Sequence, residues 1–347
     1  MTRLIFVIPL VVTTYLWNMI PRWKFQPRGD EKNGLELRAA VGISLTATHG
    51  TLSLRNPDGS FEDIGRVEGS DEYISMMKRL SAPSAKHISP PYSTMEDLWD
   101  DIPRVFLQNV RKKLGLPASS DAGILAKLLR SLLTLHPLKS TQSVVISYPP
   151  VMALYNDDII QTAIYLNIPL QTGILFQSRE LVAAFAGHGL GLCEHPEDRD
   201  GCYDELQRLP VKQVFHVEYT AKAMLFHTAP LRGAIDLADS DIRAVALWDM
   251  GGEARGEKDY VEKLRDYVLK FVKEGRFSEE WETVVVMTGD EECVGDEEVK
   301  DVIRDGLKMA GITAVRILDA RPEFVAARGA AELCFRGRVS REAGELR

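Results

Sequence analysis

Short apolar runs bounded by turn residues alternate along most of the chain with longer segments whose apolar residues recur at helical spacing. The runs are rich in β-branched residues and predict strands. The predicted strands are 40–45, 51–54, 144–147, 174–176, 211–219, 223–228, 245–248, 283–288 and 314–318. The predicted helices are 95–114, 123–135, 156–166, 179–187, 260–272, 296–310 and a last one within 321–331. This alternation predicts an α/β protein.

Residues 4–20 break this pattern, because they form 17 consecutive residues without a charge. That length lies at the lower edge for a membrane-spanning helix, about 17–25 residues. No small-x-small cleavage site follows, so we predict an uncleaved signal anchor within residues 1–25, with a cleaved signal peptide as the alternative. Polar residues 26–40 form the predicted linker. The protein is then anchored by one span in the endomembrane system.

The orientation of this anchor is left open by two conflicting signals. Basic residues are more frequent after the apolar segment than before it, which places the soluble part in the cytosol. Pairing of Cys193 with Cys202 would instead require an oxidising lumen. Residues 193–208, which hold both cysteines and many acidic residues, are expected to form a solvated loop, and a metal site at His195 is the less favoured interpretation.

Composition excludes several other classes of protein. The chain has 347 residues, of which 45% are hydrophobic, enough for two ordinary domains with apolar cores. A net charge of −8 argues against a nucleic-acid partner. Four cysteines without paired C-x-x-C spacing predict neither a disulfide scaffold nor a zinc site.

The segment 144–193 carries a resemblance to a known family. A strand ends at Tyr148-Pro149, a helix follows from Asn156-Asp157, and a second helix opens with Glu180-Leu181-Val182-Ala183-Ala184 before a glycine-rich end at 187–191. This order is similar to the first connecting region of the 70-kDa heat-shock chaperone ATPase, in the actin/hexokinase superfamily. The resemblance implies that Glu180 is the candidate catalytic carboxylate.

The resemblance extends to the family's two phosphate-binding hairpins, where the chemistry has changed. At the first hairpin Thr48 agrees with the family, but Ser44 replaces the aspartate that positions magnesium, and Thr46 replaces a glycine. At the second hairpin Glu218 replaces the aspartate, and Thr220 stands among the lost glycines. Backbone amides bind phosphate where no side chain crowds them, and a β-branched residue at such a position resists close approach.

Three further pieces follow in the family's order. Gly251-Gly252-Glu253 resembles the start of a long helix, and the segment 321–331 resembles the family's last, small-residue helix. Gly289-Asp290 corresponds to the adenosine motif, although Glu291 and Glu292 replace its serine and arginine. The helical subdomain that clamps adenine in the family is mostly missing, and no stretch with the family's catalytic lysine is present.

The fold implied by the resemblance is a two-lobed actin-like ATPase, or ribonuclease H-like, architecture with a reduced second lobe. Residues 41–210 would form lobe I, residues 211–335 lobe II and residues 336–347 a C-terminal tail; the chaperones' peptide-binding domain is absent from this chain.

The altered loops predict a degenerate, non-catalytic domain that acts as a membrane-tethered interaction module, with unidentified protein partners and no cofactor. The alternative is weak binding or hydrolysis of ATP with magnesium, at the nucleotide-site positions Ser44, Thr46, Thr48, Glu218, Thr220, Gly289 and Asp290.

A third hypothesis comes from a different class of protein. Asp239-Ser240-Asp241 is a literal D-x-D triplet, as in many glycosyltransferases of the Golgi lumen, which also carry an N-terminal anchor. Such triplets occur often by chance, so this interpretation remains the remote alternative.

Overall fold

Two β-sheets built on the same plan form the framework of the computed structural model, which describes residues 39–138, 142–171, 179–234, 243–275, 277–278 and 280–345. The strands of the first sheet are β1 (Ala40–Leu45), β2 (His49–Arg55), β3 (Phe61–Glu68) and β4 (Val144–Ser147). Those of the second are β5 (Lys212–Tyr219), β6 (Met224–Leu231), β7 (Arg243–Leu247), β8 (Glu282–Gly289) and β9 (Val315–Leu318).

The strand order repeats between the sheets. It is β3-β2-β1-β4 in the first sheet and β7-β6-β5-β8-β9 in the second. In each sheet, three consecutive strands pair antiparallel, and the next strand along the chain pairs parallel to the first of the three. The two sheets are therefore topological repeats of one another over their first four strands.

Helices occupy the faces of both sheets. They are α1 (Asp71–Leu80), α2 (Met95–Lys113), α3 (Ser120–Leu135), α4 (Asn156–Leu166), α5 (Glu180–Gly187), α6 (Arg199–Arg208), α7 (Tyr260–Glu274), α8 (Glu291–Val294), α9 (Glu297–Met309) and α10 (Val325–Glu345). The helix starts follow ordinary capping chemistry. Thr94 and Asp97 form a reciprocal capping box at the start of α2, and Ser119 caps α3.

Three apolar clusters define the layers. The first lies between the first sheet and helices α1, α3 and α4. The second contains side chains of α5 and α10 together with residues of both sheets, so these two helices form a layer between the sheets. The third lies between the second sheet and helices α7 and α9. Residues Arg38–Arg347 form one compact unit that contains all three clusters.

The middle layer depends on glycines. A Cβ atom on Gly42 of β1 would lie 2.0 Å from the carbonyl oxygen of Ala327, and one on Gly329 would lie 1.7 Å from that of Ala183. No side chain fits at either point, because the backbone of α10 lies directly against β1 and α5. The small residues of segment 321–331 permit this contact.

The prediction of an α/β chain is confirmed, with two sheets in the described residues. Within the described ranges no helix is both long and apolar enough to cross a membrane. Residues 4–20 and the strand predicted at 174–176 lie outside those ranges and stay predictions. Helix α10 continues through part of the segment assigned as a C-terminal tail.

The loop predicted for residues 193–208 is wrong in its second half, which forms α6. A disulfide joins Cys193 to Cys202, the fourth residue of this helix, and Leu206 is buried. The disulfide and this leucine are among the contacts that hold a segment whose charge density alone suggested a loop.

Candidate functional site

Polar side chains collect where the parallel strands β5 and β8 end. His216 and Glu218 lie two residues apart on β5 and therefore share one face of the sheet. Thr288 of β8 is the register partner of Glu218. Nearer the amino ends of the two strands, the same face carries Val214 and Val286, which pack in the middle layer. Ligand sites of α/β sheets usually lie beyond the carboxyl ends of the strands, so this edge is the candidate site.

Two carboxyl groups meet in the interior of this edge. Glu180 is the first residue of α5, and its Oε1 accepts a 2.7 Å hydrogen bond from the Thr288 hydroxyl. Thr288 Oγ1 also lies 2.9 Å from His216 Nε2. Both Glu180 and Glu218 have no exposed surface, and Glu180 acts electrostatically on Glu218. The Oε2 atom of each carboxyl group has no hydrogen-bond partner among the described residues. A buried pair of this kind favours a state in which at least one of the two groups carries a proton.

Burial keeps this proton in place at neutral pH. Burial raises the pKa of Glu180 to about 7. It also raises the pKa of Glu218 well above the ordinary value, and the adjacent Glu180 raises it further. The two groups therefore titrate as a pair that keeps a proton where an exposed glutamate has lost it.

The turn between β1 and β2 is bonded to this pair. Thr46 fills the inside of the turn, where its hydroxyl accepts hydrogen bonds from the amides of Thr48 at 3.2 Å and His49 at 3.0 Å. The amide of Ala47 points the other way and donates to Oε1 of Glu218 over 2.6 Å. The amide that would face a ligand is thus bonded to a carboxyl group of the same chain.

The turn between β5 and β6 repeats this arrangement. The hydroxyl of Thr220 accepts from the amide of Ala223 at 3.2 Å, and the amide of Ala221 donates to Oδ2 of Asp290 over 2.6 Å. Thr220 and Asp290 therefore take the positions in the second turn that Thr46 and Glu218 take in the first.

The segment containing Gly251 and Gly252 covers the second turn. The amides of Gly252 and Glu253 donate to the carbonyl oxygens of Thr220 and Ala221 at 3.0 and 2.8 Å. A Cβ on Gly251 would lie 2.4 Å from the Ala221 oxygen. These glycines allow one backbone to lie directly on another, so one side of the second turn is covered, while Lys222 at its tip is exposed.

Asp290 also takes part in an ion-pair network with the first sheet. Its Oδ1 lies 2.7 Å from the Arg66 guanidinium, which reaches Glu323 at 2.9 Å. Gly289, immediately before it, has φ +117°, and a Cβ there would lie 2.1 Å from the Tyr219 oxygen. Only glycine fits this position, which fixes the point at which Asp290 leaves the sheet.

Three buried histidines surround the carboxyl groups and were not among the candidates from the sequence. Burial lowers the pKa of His216 to about 3. Burial, helped by Arg66, lowers that of His49 to about 3 despite the nearby Asp290. Burial, with Arg179 and His216, places the pKa of His227 well below its ordinary value. The signal that could have identified two of them is the hairpin register, which pairs His216 with His227.

The remaining candidates are placed as follows. The Thr48 hydroxyl lies 3.1 Å from His49 Nδ1. Ser44 is buried on β1 opposite Ser147, and its hydroxyl has no hydrogen-bond partner among the described residues. Asp239 and Asp241, the basis of the glycosyltransferase hypothesis, lie outside the described residues.

Metal ligands are not brought together in the parts of the chain that the structure describes: no group of three His, Cys, Asp or Glu side chains there could hold an ion. His195, the less favoured metal candidate, is exposed and lies 3.0 Å from Glu197.

Comparisons with known proteins give only distant likenesses. No protein-family model and no curated protein matches the chain. A non-polymerising mutant of MamK bound to AMPPNP is similar in structure, with 13% identity, a TM-score of 0.46, and coverage of 86% of this chain and 98% of that one. An inorganic polyphosphate/ATP-glucomannokinase from Arthrobacter sp. strain KM has 12% identity, a TM-score of 0.42, and coverage of 89% and 100%. With TM-scores below 0.5, neither likeness bears on what this chain binds or does.

The protonated carboxyl pair generates a prediction for Glu218→Gln. Because the folded chain keeps a proton on Glu218 that the unfolded chain loses above about pH 4.5, the wild-type free energy of unfolding should fall as pH rises. Glutamine keeps an acceptor for the Ala47 amide and can donate to Glu180, but it has no proton to lose. Relative to wild type, the free energy of unfolding of the variant should rise by about 1.4 kcal/mol for each pH unit over which that difference in protonation exists.

Denaturant unfolding at pH 5 and pH 8 measures this effect, with the exposed Glu262→Gln as the matched control. The free energy of unfolding of Glu218→Gln should exceed that of wild type by more at pH 8 than at pH 5. Parallel loss of stability in wild type and Glu218→Gln between the two pH values would show that Glu218 is ionised in the folded protein.

Proposed function

We propose that this chain is a degenerate, non-catalytic member of the actin-like ATPase superfamily, related to the heat-shock chaperone ATPase, which serves as an interaction module. The repeated sheet order and the layering of helices around both sheets support the fold assignment. One observation carries the functional part. The turn amides at Ala47 and Ala221 are each hydrogen-bonded to a carboxyl group of the same chain.

These bonds oppose phosphate binding in two ways. A phosphate could reach either amide only by displacing Glu218 or Asp290, and leaving a buried polar group without its partner costs about 1–3 kcal/mol. The displaced carboxyl group would then stay near a polyphosphate, and an ionised one would repel it. Thr46 and Thr220 add a side chain inside each turn, where a phosphate cradle needs bare backbone.

The alternative, weak binding and hydrolysis of ATP, is favoured by one feature of Glu180. A carboxyl group with a pKa of about 7 lies in the range suited to a general base near neutral pH. Against this, Oε1 of Glu180 already accepts the Thr288 hydroxyl, and the side chain has no exposed surface. A water molecule could reach it only if the residues packed around it moved.

Thermal unfolding of residues Arg38–Arg347 with and without millimolar Mg-ATP tests this proposal. A ligand at about a hundred times its dissociation constant adds roughly 2.7 kcal/mol to the stability of a protein that it binds only when folded. The expected result is an unchanged melting temperature, because the turn amides are occupied.

A rise of several degrees that requires ATP, and that adenosine alone does not produce, would contradict the proposal. Glu180→Gln would then be compared with wild type for ATP turnover.

We further propose that residues 4–20 tether the domain to a membrane and that the domain faces an oxidising lumen. The absence of charge in this segment supports the tether. The disulfide between Cys193 and Cys202 supports the lumenal orientation, because such bonds persist in oxidising compartments.

Cysteine labelling of the protein from intact cells, denatured without reductant, tests the orientation. Cys293 and Cys334 are free in the structure, so two cysteines should react before reduction and all four after it. Four reactive thiols before reduction would place the domain in the cytosol. In a separate experiment, release of the protein from membranes by alkaline carbonate would exclude the tether.

A further inference from the structure

Helix α2 buries polar side chains and turns an apolar stripe outward. Only Asp101 and Gln108 of this 19-residue helix are buried, and Leu98, Ile102 and Val105 are half-buried. Five other large apolar side chains of the helix, together with the residue that follows it, are exposed by 37–70%. They are Met95, Trp99, Phe106, Leu107, Val110 and Leu114. An amphipathic helix normally places such a stripe against the core, so this one is inverted.

Polar contacts fix the rotation of α2 about its axis. Arg104 pairs with Asp101 at 2.5 Å on its own helix and with Asp157 of α4 at 3.2 Å. The Tyr92 hydroxyl donates to Asp101 over 2.7 Å. Near the other end of α2, Lys112 donates to Gln161 of α4 at 3.1 Å. With the middle and the carboxyl end of α2 held in this way, the outward direction of the stripe is fixed by the structure.

The stripe is complementary to itself when two copies of α2 lie antiparallel. If the centre of pairing falls between residues 104 and 105, Met95 lies level with Leu114 of the second copy, and Trp99 lies level with Val110. Pro103, which is also exposed, then lies level with Phe106. Every level along the stripe thus places an apolar residue against an apolar residue.

The charges of α2 follow the same symmetry. Its first turn is acidic, with Glu96 and Asp97, and its last turn is basic, with Lys112 and Lys113. About the same centre, Glu96 lies level with Lys113 of the second copy. Antiparallel pairing therefore brings opposite charges together at both ends of the interface and also aligns the helix dipoles favourably.

We infer that a second copy of this chain covers the stripe in a two-fold symmetric dimer centred on α2. A two-fold interface uses the same surface on both subunits, and the paired apolar and charged positions of α2 have this property. A lipid surface fits less well, because helices that lie on membranes carry mainly basic polar faces. The acidic residues Glu96 and Asp100 at one end of α2 would face an anionic surface, which repels them.

Sedimentation of residues Arg38–Arg347 over a range of concentrations tests the dimer, since this unit contains all three apolar clusters. The double variant Trp99→Glu, Val110→Glu removes two levels of the stripe, and each change occurs twice in a symmetric interface. It should raise the dissociation constant of the dimer by roughly a hundredfold or more. Met309→Glu, at an equally exposed apolar residue of α9, is the matched control and should leave the dimer unchanged.

Cysteine cross-linking tests the antiparallel register. Phe106→Cys lies close to the symmetry axis and should cross-link to its own copy. Met95→Cys should not, because the two copies of residue 95 would be separated by about 28 Å along the helices. A mixture of Met95→Cys and Leu114→Cys chains should cross-link as a heterodimer, and wild type supplies the background from Cys293.

Several results would overturn the inference. A monomer at all concentrations would exclude the dimer, and a dimer that Trp99→Glu, Val110→Glu leaves intact would place the interface elsewhere. Flotation of a monomeric Arg38–Arg347 with anionic vesicles, lost in the same double variant, would make a lipid surface the occupant instead.

Discussion

The hydrogen bond from the Ala47 amide to the Glu218 carboxyl group joins the two sheets at the edge where a ligand would otherwise enter. It is short and buried, and it connects the turn between β1 and β2 of the first sheet to Glu218, near the carboxyl end of β5 in the second. The surroundings of Glu218 favour its uncharged form. Burial and the adjacent Glu180 raise the pKa of Glu218, and burial lowers the pKa of His216. The chemistry of the whole edge therefore follows from one carboxyl group that turns inward.

A buried acid needs rigid surroundings, and the middle layer supplies them. Unpaired buried polar groups are costly, so Glu180 and Glu218 must keep fixed partners. Glu180 is positioned by α5, which the Gly329 contact holds against α10. The Arg66–Asp290 pair joins the sheets at a second point. These contacts hold the two turns and the two carboxyl groups in fixed positions at this edge.

The sequence predicted the framework better than the site, for reasons that particular residues make clear. Apolar runs on either side of the polar turns at Thr46 and Thr220 predicted the two hairpins, and the β-branched run at 283–288 predicted a buried strand, whereas the order of the elements came from the resemblance. The bonds that close the turns join residues 171 and 69 positions apart, and no local pattern encodes such partners. The spacing of His216 and Glu218 was visible as a two-residue period. On α2 the helical period was equally clear, but its orientation depends on the contact of Arg104 with Asp157, which lies on another helix.

Hydrogen exchange at the amides of Ala47 and Ala221, resolved by residue, tests most directly whether the chain occupies its own turns. Both amides should exchange slower than exposed turn amides by orders of magnitude, and millimolar Mg-ATP should leave both rates unchanged. Exchange of either amide at the rate of an open turn, or protection that appears only with nucleotide, would contradict this account and would mean that the two turns are vacant phosphate sites.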